Sequence, residues 1–159
     1  MLLSAAVLAV CAVATQIQPA AAATTEADAV FSFAAAQISK PFQLGANGMR
    51  KFDCSGLVYR TYFETGLLGR ISGQQRRANG YYRWFKERGL ITTNPRPGDL
   101  VAWAYKGYKV SHIGIFTGWN SKGKPMAISA LVNPYGVTRH GVNRISIPLK
   151  AYMSVNLNR

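Results

Sequence analysis

"KFDCSGLVYR", residues 51 to 60, decides how the rest of the chain is read. Asp53 is a strong helix N-cap, which places Cys54 at the first helical position. Leu57, Val58, Tyr62 and residues near Leu67 supply the inner face of that helix, and Gly66 and Gly69 are its predicted stops. A cysteine at a helix N-terminus faces unpaired backbone N–H groups and the positive end of the macrodipole. Both favour thiolate over thiol, so the position predicts a lowered pKa and a nucleophile ionised at rest. Gly56 predicts that a strand or a substrate comes close to the first turn.

Working outward, "TTEADAVFSFAAAQISK" (24–40) predicts a helix ending before Pro41, and "PFQLGANGMRK" (41–51) a glycine-punctuated loop. After the Cys54 helix comes a basic, aromatic region (72–89), predicted helical and broken in two at Gly80. Core packing is the leading reading of its Tyr82, Trp84 and Phe85; a cleft wall is the sharper one. Strands are predicted at 100–105, 109–118, 125–132 and 137–142 and within 144–157, with "NPYG" (133–136) as a hairpin loop. Helices first and an antiparallel meander second is the α+β pattern.

The chain has 159 residues, room for one domain with a real core. Residues 1–23 read as a removed export signal, apolar and closed by small residues, and 24–159 as the single domain. That predicts a secreted protein whose mature form keeps Cys54 and loses Cys11. One cysteine forms no internal disulfide, and with two histidines it is a poor metal set, so neither metal nor cofactor is expected. Nineteen basic residues against six acidic give a net charge of +13. An exported cation of this size implies an anionic partner, either nucleic acid or a wall polymer rich in phosphate and carboxylate, held by salt-sensitive attraction.

His112 sits in "VSHIGIF". Strand alternation puts His112, Gly114 and Phe116 on one face, and Ile113 and Ile115 on the core face. Gly114 predicts a close neighbour on the His112 face, and the Cys54 helix is the expected one. A neutral imidazole there takes the thiol proton and later protonates the leaving amine.

"FDCSGLVYRTY", "RPGDLVAWA" and "SHIGIFTG", in this order, resemble the NlpC/P60 family of cell-wall cysteine peptidases over about residues 27–145. The resemblance implies a papain-like α+β fold, with N-terminal helices on an antiparallel sheet of five to six strands. It implies Cys54 as nucleophile and His112 as base, with the Cys54 backbone N–H in the oxyanion hole and Asp53, Ser55 and Ser111 along the cleft. It implies cleavage of peptidoglycan stem peptides at the γ-D-glutamyl–diamino acid bond, without a cofactor, and makes anionic wall polymers, not nucleic acid, the expected partner of the basic surface. An amidase or acyl transferase using the same pair, or a weakened wall-binding module, are the alternatives; a monomer is expected.

Two positions depart from the family pattern. Phe42 stands where members often carry a tyrosine, so a phenolic donor is missing. Ser129 stands where many carry the histidine that orients the catalytic imidazole. If Val132 pairs with Val137, Ser129 opposes His140, and His140 is then expected to do the orienting from across the hairpin.

Overall fold

The computed structural model describes residues 25–159. The export-signal segment and Cys11 therefore lie outside the described residues. Among the described residues, three α-helices precede a six-stranded antiparallel sheet. Helix α1 (Glu26–Ala35) opens on Thr25 with a reciprocal Thr25–Asp28 capping box. It ends five residues earlier than the sequence pattern predicts, and the chain turns before Pro41. Helix α2 (Cys54–Glu64) starts where Asp53 predicts, the Asp53 side chain accepting from the Gly56 N–H. Helix α3 (Ala78–Glu87) runs through Gly80 unbroken. The predicted break fails because Gly80 lies in the first turn, where an added Cβ would stand 3.2 Å from Arg76 Cβ.

The strands are β1 (Ile91–Thr92), β2 (Leu100–Trp103), β3 (His112–Trp119), β4 (Pro125–Leu131), β5 (Gly136–Gly141) and β6 (Leu149–Met153). Their spatial order is β1-β6-β2-β3-β4-β5. From β2 to β5 this is the expected meander. The last strand departs from it, crossing back to pair with both β2 and β1. Buried Asp99 anchors that return, its Oδ1 accepting from the Val155 N–H and from Arg159.

The two faces of the sheet differ. Leu100, Ala102, Ile113, Ile115, Ile128, Ala130 and Val137 face the helices and share a core with Val30, Leu57, Val58, Tyr62, Tyr81 and Phe85. Tyr82 and Trp84 pack at its margin, so the aromatic segment is mainly core. Val101, Trp103, Phe116 and Ala127 face the other way, under Val142, Ile145 and Ile147. Helix α2 therefore packs on the Ile113/Ile115 face, not on the His112/Gly114 face as predicted. The close neighbours of Gly114 are strand atoms: an added Cβ would meet Ile128 O and Ser129 Cβ at 2.9 Å and the Trp103 ring at 3.4 Å.

Candidate active site

Asp53 builds the Cys54 end of the site. Its Oδ1 accepts from the Gly56 N–H at 2.6 Å and from Ser55 Oγ at 3.0 Å. Its Oδ2 accepts from the Gly45 N–H at 2.8 Å, and its own N–H donates to Ala46 O at 2.8 Å. One carboxylate thus caps α2 and ties down the 41–52 loop. Gly56 completes the fit, because an added Cβ would stand 2.0 Å from Ala46 O. The predicted close approach at Gly56 is made by this loop, not by a substrate or a strand.

Cys54 is half-buried and, with His112, lines a cleft of about 1020 Å³. Phe42, Asp53, Ser55, Ser111, Ala130 and His140 share that lining. The paired part of the β3–β4 ladder begins at Ile115–Ile128. The backbone N–H groups of Ile113, Ser55 and Cys54 lie near the Cys54 sulfur. These donors favour thiolate, as predicted for a helix start. Burial acts against them more strongly, with the nearby Asp53 charge adding to it, and the thiol is pushed up to about 11. The expected resting thiolate is therefore replaced by a neutral thiol.

His112 is buried and begins β3 opposite Trp103, the ring centroids 5.1 Å apart. Its Nε2 lies 2.9 Å from Ser129 Oγ, and Ser129 Oγ lies 2.8 Å from His140 Nε2. His140 Nδ1 lies 3.0 Å from Gly141 O. That carbonyl can only accept, so His140 Nδ1 carries the proton and Nε2 is bare. The Ser129 hydroxyl then donates to His140 Nε2 and accepts from His112 Nε2–H. We assign the free lone pair of His112 to Nδ1 on this network. Burial, with His140 alongside, brings the His112 pKa down to about 4, and burial also lowers that of His140. Both rings are neutral near pH 7, as the network requires.

The hairpin register is not the predicted one. Leu131 pairs with Gly136, so Ser129 opposes Thr138 and His140 opposes Ala127, a shift of two residues. A shift of two keeps each side chain on its face, so His140 still meets Ser129 diagonally. His140 does not orient His112 directly; Ser129 stands between them. Trp103, which packs under both imidazoles and donates from Nε1 to Val142 O, was missed by the sequence reading. Its signal lay in "LVAW", since a strand paired to β3 puts one of its large residues beside His112.

A cysteine on a helix start and a histidine on the first residue of a neighbouring strand thus meet at one cleft, with an α+β sheet behind them. Residues 39–144 match the NlpC/P60 family, and the chain belongs to it. A probable endopeptidase p60 of Listeria grayi is 31% identical over 90 residues, covering 57% of this chain and 16% of that protein. The chain thus spans about a sixth of the length of that curated relative. An NlpC/P60 family protein from Bacillus cereus superposes with a TM-score of 0.67 at 18% identity, over 81% of this chain and 40% of that one. The NlpC/p60 domain of the peptidoglycan hydrolase SagA gives 0.56 at 21% identity, over 80% and 97%. The fold is therefore the papain-like α+β fold of that family.

Proposed function

We propose that the chain is a cysteine endopeptidase that hydrolyses peptidoglycan stem peptides, exported by residues 1–23 and carried as one catalytic domain in 24–159. The observation that carries this reading is the His112–Ser129–His140–Gly141 chain, which leaves the base atom Nδ1 free in the cleft that Cys54 lines. Family membership, with relatives titled endopeptidase and peptidoglycan hydrolase, supports the substrate class.

The neutral pair sets the order of events. The Cys54 proton moves to His112 Nδ1 as sulfur attacks the amide carbonyl, because neither partner ionises alone near pH 7. The new thiolate-derived charge on the carbonyl oxygen falls beside backbone N–H groups at the α2 start. Imidazolium then protonates the leaving amine, the C–N bond breaks, and a thioester remains on Cys54. Water, deprotonated by His112, releases the acid and restores the thiol. Phe42 contributes an apolar wall to the cleft and no hydroxyl.

The γ-D-glutamyl–diamino acid bond is the proposed point of cleavage. Mass analysis of fragments released from purified sacculi tests it: the reading predicts fragments that end in D-glutamate. Fragments separated at the glycan–peptide junction instead would make the protein an amidase.

A further inference from the structure

The charge of the cleft is one-sided. Its lining includes Arg77, Lys109 and Arg144, and Asp53 is the acid among the residues that line it. The Asp53 carboxylate is already engaged, accepting from Ser55, Gly56 and Gly45. It has little to offer a substrate amine. The four ion pairs found among the described residues involve Arg60, Arg70, Arg83 and Arg159, none of them in the cleft. All three cleft cations are exposed.

The cations stand at two stations. Arg77 is the N-cap residue of α3, and Asn79 Oδ1 accepts the Val110 N–H at 3.2 Å. That bond holds the helix start against the loop carrying Lys109, close in the chain to Ser111 and His112. Arg144 lies on the 3₁₀ turn after β5, folded over Gly141 so closely that a Cβ there would stand 2.8 Å from Arg144 Cγ. It therefore flanks the far end of the relay, beside His140. Phe42, Val110, Ala130 and Ile147 add apolar surface to the same lining. Low-dielectric walls strengthen the field of fixed cations on a bound anion.

Resting on the hydrolase reading for the bond to be cut, we propose that Arg77, Lys109 and Arg144 select peptides bearing free carboxylates on both sides of that bond. The same peptide with its carboxylates amidated is discriminated against. A carboxylate accepts charge-assisted, often bidentate bonds from guanidinium, and a primary amide keeps neither the charge nor the second acceptor.

The test reads binding rather than turnover, so that it stands apart from the hydrolase reading. The Cys54→Ala variant leaves the peptide intact. Calorimetry on it compares a synthetic γ-D-glutamyl–diaminopimelyl peptide, carboxylates free, with its fully amidated twin. The expected result is a preference of about tenfold or more for the free acid, shrinking as salt rises. Arg77→Gln with Lys109→Gln removes most of that preference and Arg144→Gln the remainder, each variant keeping the parent melting temperature. Equal affinity for the twins, no binding of either, or a preference that survives all three glutamine changes overturns the proposal. Failure of the hydrolase reading has a different signature: the unmodified protein leaves both twins uncut.

Discussion

The two faces of the sheet are built for different ends. The helix-side face is continuous hydrocarbon from Leu100 to Val137, closed by three helices. The opposite face carries a polar line, His112–Ser129–His140, laid on Trp103. The first face holds α2 in place, and so sets where Cys54 stands. The second fixes which nitrogen of His112 faces the cleft. On the proposed function, stability and chemistry depend on residues one position apart in the same strands, His112 beside Ile113 and Ser129 beside Ile128. Substitutions should separate cleanly by face, some unfolding the protein and others silencing it.

The largest effect is expected where the faces meet. Cys54→Ala should lower release of fragments from sacculi on the order of 10⁴-fold or more while the melting temperature holds. A large residual activity would remove Cys54 from the chemistry. Next comes the helix side. Leu57→Ala, at a fully buried site, should cost about 3 kcal/mol of unfolding free energy, read from denaturant midpoints. Activity per folded molecule should stay near that of the parent. A silent but stable Leu57→Ala would break the division between the faces.

On the polar face, Ser129→Ala should lower kcat by about 10²-fold, because Ser129 touches His112 itself. His140→Ala should lower it less, about tenfold, because His140 acts through Ser129. Both should change kcat more than KM and alter the pH profile, which a merely structural role would not do. If His140→Ala costs more than Ser129→Ala, the direction assigned to the relay is wrong.

The pH predictions are smaller and carry a definite sign. With His112 brought down to about 4, the acid limb of kcat/KM should fall near pH 4 to 5 and not near 6.5. The unfolded chain binds a proton at this histidine from about pH 6.5 downward, and the folded one only near 4. The unfolded state therefore holds more protons between these values. Stability from His112 is complete above pH 6.5 and is lost as pH falls toward 4, by up to about 3 kcal/mol. Denaturant midpoints at pH 7 and 4.5, against His112→Gln, measure it. For Cys54, at about 11, alkylation by iodoacetamide should keep accelerating above pH 8 instead of levelling at pH 6 to 7.

Much of this was legible in local sequence because local chemistry decides it. Asp53 fixes the start of α2 by its own hydrogen bond, and Ile113 and Ile115 alternate out of a strand with one greasy face. The Ser129–His140 meeting was also readable, since a hairpin shift of two residues preserves the face even when the partner is wrong. What stayed hidden depends on contacts between distant segments. The return of β6 to β2 rests partly on buried Asp99, over fifty residues from Val155 in sequence. The face chosen by α2 is set by packing, because a glycine such as Gly114 signals closeness without naming the neighbour. The thiol's pKa is a balance of burial against helix-end donors, and burial belongs to the assembled fold.

The most direct test of the account is the intact mass of the protein after mixing with a γ-D-glutamyl–diaminopimelyl peptide and rapid acid quenching. The account predicts a fraction whose mass is raised by the acyl portion of the peptide, mapped to Cys54 as a thioester and absent from Cys54→Ala. Turnover with Cys54 unmodified throughout, together with a Cys54→Ala variant that releases the same products at an undiminished rate, would contradict it.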